Sequence, residues 1–336
     1  MEGTTKLPIR TPMLVAAYLA LALIWGSSFL FIKVAVGGMS PAQVVLGRLL
    51  LGAITLCALM MITRRKWPRE PKLWGHLSIV ALFACVVPFL LFSWASQFLP
   101  SGVSSILNAT TPITTLAVSA LMLPAERLNR IQILGVFVGA IGVVVVVGPW
   151  DVLGDPLFAS SLPAQLACLV ATTCYGIAFS YLRRFVVGAN GHDAVTVSAV
   201  QISIAAAMML LIAPFAATTP LALNLPIVLS MIGLGAVGTG IAYIWFTVIV
   251  GSWGSTAASS VTYLTPLVGV ILGILVLAET LHWNQPVGGI AIVLGILVSQ
   301  SKGTAKRKRP RHPVNQVTGP QRTAEGSDDQ SRVSRR

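Results

Sequence analysis

A chain of 336 residues that is 55% hydrophobic and only 10% charged, with a mean hydropathy of +0.82, is not a soluble domain, in which roughly a quarter of residues are charged. The net charge of +13 does not point to nucleic acid: ten of the 23 Lys and Arg follow Gln300, and most of the rest punctuate apolar runs, which is an orientation signal for membrane segments. The composition predicts an all-α polytopic membrane protein.

A spanning helix needs about 20 apolar residues. Lys6 and Arg10 precede Thr11–Ile32, a run too long for a signal-peptide core and without a clear cleavage site, so it reads as a retained first span. Pro41–Ile62 is the second, interrupted only by Arg48. Leu73–Ala125 contains no Asp, Glu, Lys or Arg and is long enough for two, with Leu99–Pro100–Ser101–Gly102 as the break. Ile131–Gly148 makes a fifth and Leu162–Leu182 a sixth. Ala194–Ala278 has room for three, broken by Pro214, Pro220 and Pro226 and by Gly251–Ser252–Trp253–Gly254; Trp283–Ser301 completes ten.

The positive charges fit this count. With the N-terminus in the cytoplasm, the inner side receives Arg64, Arg65, Lys66, Arg69 and Lys72, then Arg127 and Arg130, then Arg183 and Arg184, and the basic tail. The outer loops receive Asp151, Asp155, Glu279 and His282, and Lys33 alone sits near an outer end. Residues 1–12 read as a cytoplasmic N-terminus, 13–148 as a first five-helix unit, 149–161 as an extracytoplasmic linker, and 162–301 as a second five-helix unit. Residues 302–336, rich in Lys, Arg, Pro, Gln and Ser, read as a disordered basic cytoplasmic tail.

The two units repeat each other. Ser105 and Pro112 match Ser259 and Pro266 at an offset of 154; Glu126, Gly135 and Gly142 match Glu279, Gly288 and Gly295 at 153. Trp25, Gly26, Phe29 and Lys33 match Tyr175, Gly176, Phe179 and Arg183 at 150. An odd number of spans per unit means the second copy enters from the opposite face, so the repeats are expected to be inverted.

Arg48 is the sharpest single residue. A charge inside a span costs about 2.5–3.5 kcal/mol by insertion scales, so such a residue faces a wet cavity, a partner or a solute, or else snorkels to the interface. Its repeat counterpart is Gln201, and no acid lies at comparable depth. The fourth span carries Ser101, Ser104, Ser105, Asn108, Thr111, Thr115 and Ser119 at helical spacing, a stripe that lines a solute path or bonds neighbouring helices. Pro112 and Pro266 form a matched pair of interior prolines, which marks hinge candidates. Glu126 and Glu279 suit either proton coupling or, preferably, capping of the next helix, with Glu126 close enough in sequence to pair with Arg130. Trp25, Trp94, Tyr243 and Trp245 lie within spans, whereas Trp67, Trp74, Trp150 and Trp283 sit at span ends as interfacial anchors. Gly135-x-x-x-Gly139 and Gly269-x-x-x-Gly273 signal close helix packing. The four cysteines, Cys57, Cys85, Cys168 and Cys174, fall in apolar runs without a CxxC and read as small buried residues.

This arrangement resembles the EamA family of the drug/metabolite transporter superfamily. Trp25-Gly26-Ser27-Ser28-Phe29 with Lys33, Arg48, and the doubled Ser…Thr-Pro…Glu…Gly…Gly segments carry the resemblance over residues 13–301. It implies ten transmembrane helices as two inverted five-helix repeats, a central cavity, alternating access and carriage of metabolites, often export of amino acids or related solutes. Arg48, Asn108 and Thr111 are then the solute contacts, Trp94, Tyr243 and Trp25 the cavity aromatics, and Pro112 and Pro266 the hinges. The expected partners are a small-molecule metabolite, membrane lipid and a second copy in a homodimer, with no nucleic acid, no metal and no cofactor. The expected location is a bacterial plasma membrane, with both termini cytoplasmic. No GxxxxGK[ST] occurs, which argues against direct ATP drive. A passive facilitator of the same fold is the first alternative. An enzyme acting on lipid is the second, and it would need clustered His, Asp or Glu that the scattered His76, His192, His282 and His312 do not supply.

Overall fold

The structure, a computed structural model, describes residues 11–122, 129–148, 156–186, 193–253 and 260–300. Among them every regular element is helical: α1 (Thr11–Ala35), α2 (Pro41–Ile62), α3 (Pro71–Ala81), a π-helical segment (Leu82–Val86), α4 (Val87–Ala95), α5 (Ser101–Asn108), α6 (Thr111–Met122), α7 (Arg130–Val147), α8 (Pro156–Phe185), α9 (Ala194–Ala216) and α10 (Leu225–Ile232). A second π-helical segment (Gly233–Ile241), α11 (Ala242–Trp253), a 3-10 turn (Ser260–Tyr263), α12 (Thr265–Leu277) and α13 (Asn284–Gln300) follow. Eight helical stretches are long and apolar enough to cross a membrane, and Val261–Leu277 and Asn284–Ser299 are two shorter apolar ones.

The helix starts are encoded locally. Ser40 and Gln43 form a reciprocal capping box before Pro41 opens α2, and Asn129 and Gln132 do the same for α7. Asn224 caps α10 through the Ile227 amide at 2.9 Å. α7 stops at Gly148, whose φ of 66° is the left-handed conformation that a residue without Cβ adopts freely.

The two copies are not separate bundles. The most extensive packing joins elements of different copies: α7 with α13, α2 with α9 and with the second π-helical segment, α6 and α4 with α8, and α1 and α5 with α12. Glycine makes these approaches possible. A Cβ at Gly135 would lie 2.6 Å from Ser299 Cβ, one at Gly142 would lie 2.7 Å from the Ile292 amide, and one at Gly288 would lie 2.6 Å from the Gly142 carbonyl. Gly135 therefore faces the α7–α13 seam, and Gly139 offers that seam its backbone, against Gly295, while a Cβ of its own would meet Ile113 of α6. On α12, Gly269 and Gly273 receive the Ser105 and Ser101 side chains of α5.

Side chains also tie the copies together at both ends. Gln43 Nε2 donates to the carbonyls of Ala217 and Thr219, and the Ala222 amide donates to the Gly38 carbonyl at 2.9 Å. At the opposite end Arg65 pairs with Asp193, which caps α9 through the amides of Val195 and Thr196. Trp67 and Trp74 stack there with centroids 6.2 Å apart, both partly exposed; Trp283 is exposed as well, while Trp150 lies outside the described residues.

Asp193 gives this end a pH dependence. Partial burial would raise its pKa, but the Thr196 hydroxyl and amide, Arg65 and the Val195 amide outweigh burial and hold the carboxyl below its ordinary range. A depressed folded-state pKa stabilises at pH above the ordinary value of about 4, and that stabilisation is lost as pH falls through the folded value. Thermal unfolding in detergent from about pH 7 to about pH 3 is expected to show a smaller acid-side loss for Asp193→Asn than for wild type. Equal losses in both would remove Asp193 from the account.

Candidate functional site

The fourth and ninth spans are each broken at the same point of the repeat. α5 ends at Asn108, Ala109 and Thr110 form a turn, and α6 resumes at Thr111. In the second copy the 3-10 turn ends at Tyr263, Leu264 intervenes, and α12 begins at Thr265. Thr111 Oγ1 donates back to the Asn108 carbonyl at 2.7 Å, and Thr265 Oγ1 donates to the Thr262 carbonyl at 2.9 Å. Pro112 and Pro266 therefore occupy the first turn of a second half-helix, where a missing N–H is harmless. This corrects the expectation of interior prolines: the backbone break precedes each proline, and a threonine hydroxyl satisfies the exposed carbonyl.

The third and eighth spans carry the π-helical segments, and residues 82–86 plus 154 give 236–240, inside the second segment. Such bulges displace the helical register and free backbone groups for other partners. Gly238 offers its carbonyl to the Trp25 indole N–H at 3.2 Å. Thr239 donates to the Leu234 carbonyl at 2.9 Å and accepts from Arg48 Nε at 3.0 Å. Helix α2 reaches this segment because Gly52, Gly235 and Gly240 remove side chains from the contact: a Cβ on Gly52 would sit 2.7 Å from Thr239 Cγ2, and one on Gly240 would sit 2.6 Å from Thr55 Cγ2.

Arg48 is 8% exposed, so it does not snorkel. Its guanidinium carbon lies 3.8 Å from the centroid of the Phe89 ring, a cation–π contact. Among the described residues, Nε to Thr239 is its one hydrogen bond. All ten Asp and Glu fall outside the apolar spans, so no buried carboxylate neutralises it there.

Arg48 faces a cavity of about 120 Å³. Five of the six residues proposed from sequence line it: Trp25, Arg48, Asn108, Thr111 and Tyr243. The sixth, Trp94, does not. It follows Phe92 by two residues, about 200° around the helix, and it is 38% exposed against Phe98.

The walls are drawn pairwise from the repeat. Trp25 and Tyr175, and Phe29 and Phe179, are related by the offset of 150. Phe89 and Tyr243, Asn108 and Thr262, and Thr111 and Thr265 are related by 154. Trp25 and Tyr243 meet edge-on at 6.4 Å, and Phe92 stacks near Tyr175 at 6.3 Å. A larger groove of about 320 Å³, bounded by Leu23, Ile24, Val268 and Ile271, holds no charged group; its walls include exposed Leu23 and Ile271, which suits contact with lipid rather than solute chemistry.

The polar residues of the fourth span take different roles. Asn108 and Thr111 reach the cavity. Thr110 bonds Thr172 at 3.0 Å, Thr114 bonds the Thr172 carbonyl at 2.8 Å, and Ser119 bonds Ser180 at 2.8 Å, all across to α8.

Lys33 and Glu279 brace the loop between α4 and α5. Lys33 Nζ donates to the carbonyls of Ser96 and Leu99 at 2.8 and 2.9 Å. Glu279 accepts from the Ser101 amide at 2.7 Å, its hydroxyl at 2.8 Å and the Gly102 amide at 3.2 Å. The glutamate thus caps a helix of the other copy instead of the helix that follows it; Glu126 lies outside the described residues. Glu279→Ala leaves partly buried donors without an acceptor, an expected loss of about 1–3 kcal/mol, measurable as a lower unfolding temperature in detergent. Glu279→Gln should fall between.

Sequence reasoning passed over Thr239, Phe89, Phe92, Tyr175 and Phe179. Tyr175 and Phe179 were legible as the repeat partners of Trp25 and Phe29. The glycine-dense stretch Gly233–Gly240 was the available signal for Thr239, because glycines in a span mark close backbone approach.

The family model described as the EamA-like transporter family matches residues 12–148 and 162–300. The uncharacterized transporter YoaV of Bacillus subtilis is 26% identical over 84% of this chain and 94% of its own length. The uncharacterized inner membrane transporter YedA of Escherichia coli K12 is 24% identical over 90% of this chain and 96% of its own. A solved crystal structure at 20% identity covers 88% of this chain and 100% of its own, with a TM-score of 0.60, a likeness of fold.

Proposed function

Because the chain belongs to the EamA-like transporter family, we propose that it is a secondary transporter that exports a small metabolite, an amino acid or related solute, by alternating access around the Arg48 cavity. Its ten spans are two inverted five-helix repeats in a bacterial plasma membrane, with both termini cytoplasmic. The observation that carries this reading is the cavity wall: matched residues of the two copies, gathered at the two broken spans, around one buried cation. Broken helices beside a midplane site recur in carriers whose two repeats rock against each other. Arg48, Asn108 and Thr111 contact the solute, and the aromatics enclose it. The backbone breaks before Pro112 and Pro266 are the bending points.

The test begins with metabolite profiling of cells with and without the gene. The strongest hit is then assayed for counterflow in proteoliposomes. Labelled solute is expected to accumulate transiently against its gradient when unlabelled solute is preloaded on the other side. A facilitator working as an open pore gives simple equilibration instead, and that result would displace the carrier.

A further inference from the structure

We propose that the solute is a monoanion, a carboxylate on a compact aromatic or apolar body without an ammonium group, and that its transport is electrogenic. This rests on the carrier reading and narrows its solute.

The argument begins with unmatched charge. Arg48 stays protonated in proteins, yet its only hydrogen bond among the described residues uses Nε, toward Thr239. The outer fork of the guanidinium, the part that binds carboxylates bidentately, has no acceptor among the described residues and lines the cavity. An uncompensated cation in a membrane span is retained where something pairs with it. No Asp or Glu lies in any span to do so, and Lys33, the charge within α1, is itself a cation, held by the Ser96 and Leu99 carbonyls. The pairing group must come with the solute.

The same inventory speaks against an ammonium group. An amino acid would bring a second charge into about 120 Å³ already holding a guanidinium. No carboxylate lines that space to receive it, and the ring face of Phe89 is already taken by Arg48. The Asn108 side-chain amide, which also lines the cavity, suits the rest of a carboxylate's hydrogen-bond shell; the Thr111 and Thr265 hydroxyls already donate to backbone carbonyls. The Asn108 side chain has no hydrogen bond to any described residue. The aromatic walls suit a flat or compact apolar body.

Electrogenicity follows from the missing acids. A proton leaving with each anion would cancel its charge, and it would need a titratable carrier in the translocation path. His76 is the only histidine within the apolar spans; it bonds Tyr181 at 2.9 Å and does not line the cavity. One net negative charge then crosses in each cycle in which the carrier returns empty. An inside-negative potential drives that charge outward, roughly 50-fold per 100 mV at equilibrium.

The experiment takes one skeleton apart. The purified protein is titrated, by quenching of tryptophan fluorescence, with 3-phenylpropanoate, L-phenylalanine, 2-phenylethylamine and 3-phenylpropan-1-ol. Expected is binding of 3-phenylpropanoate tighter than L-phenylalanine and at least tenfold tighter than the amine and the alcohol, with Arg48→Gln erasing that margin. L-phenylalanine binding as tight as 3-phenylpropanoate or tighter, or equal binding of all four, overturns the proposal. In proteoliposomes with a valinomycin-set potassium potential, corrected for protein-free vesicles, efflux of 3-phenylpropanoate is expected to quicken when the interior is negative and slow when it is positive. Indifference to potential overturns the electrogenic step. Saturable movement of the amine or alcohol that survives Arg48→Gln overturns the anion assignment and leaves the carrier standing. Absence of protein-dependent movement of all four overturns the solute assignment, and the carrier reading then stands or falls on the counterflow assay.

Discussion

Arg48→Ala is expected to lower transport by between about 30-fold and a few thousand-fold while leaving the protein folded. The estimate comes from the cost of removing one partner of a buried charge pair, about 2–5 kcal/mol, at a factor of ten per about 1.4 kcal/mol. The fold should survive because the side chain has, among the described residues, a single hydrogen bond, to Thr239, and its guanidinium touches the Phe89 ring and the cavity. Removing a charge from a span also removes a desolvation cost, so the unfolding temperature is expected to hold or rise. Arg48→Lys is the sharper probe. It keeps the charge but loses the planar fork and the Nε bond to Thr239, and it should recover only a small part of the activity. The measurement is initial-rate transport in proteoliposomes alongside unfolding temperature in detergent. Wild-type rates in the alanine variant would take Arg48 out of the site; a variant that fails to fold would show that the residue holds helices together instead.

Gly295→Leu is expected to produce the largest stability loss of any single change in the described residues. The three atoms nearest a Cβ at this position are all backbone: the Gly135 carbonyl at 2.6 Å, Gly139 Cα at 2.8 Å and the Gly139 amide. A flexible side chain gives way to an intruding methyl group, but two packed helix backbones separate only as units, and the separation breaks the seam along all of α7 and α13. Overpacking ordinarily costs about 1–3 kcal/mol and occasionally more; here the cost should reach the upper end or pass it. The expected readout is loss of the monodisperse peak after mild heating in detergent. Gly75→Leu supplies the contrast, since a Cβ there meets nothing within 4 Å. Two variants of equal stability would mean that α7 and α13 do not approach this closely.

Both predictions rest on features of very different legibility. Gly295 was visible in the sequence as one of a matched set, and its chemistry needed little more, because glycine in a span has few uses besides close approach. Arg48 was visible as a charge where charge is costly. Its surroundings were not: Thr239 is 191 residues away, and the Phe89 ring sits in a span that carried no polar signal. Asn108 and Ser119 belonged to one stripe in the sequence, and only the fold sends the first to the cavity and the second to Ser180. Trp94 was the aromatic that the sequence singled out in this span, and only the rotation of α4 shows that Phe92, two residues earlier, is the one at the cavity.

The sequence by itself determined the solvent, the run lengths of the spans, the duplication and the positions where the backbone must break or approach. Those are properties of composition, of charge-free runs and of residues such as Gly and Pro whose effect is local. Which face of each helix meets which neighbour was decided by the tertiary structure alone. In water an amphipathic stripe announces the buried face. In a membrane the lipid-facing and protein-facing sides are both apolar, so the stripe vanishes. The choice passes to shape: glycines that admit a partner's backbone, π-helical segments that turn a carbonyl toward Trp25, and a glutamate that finds its amides 178 residues away.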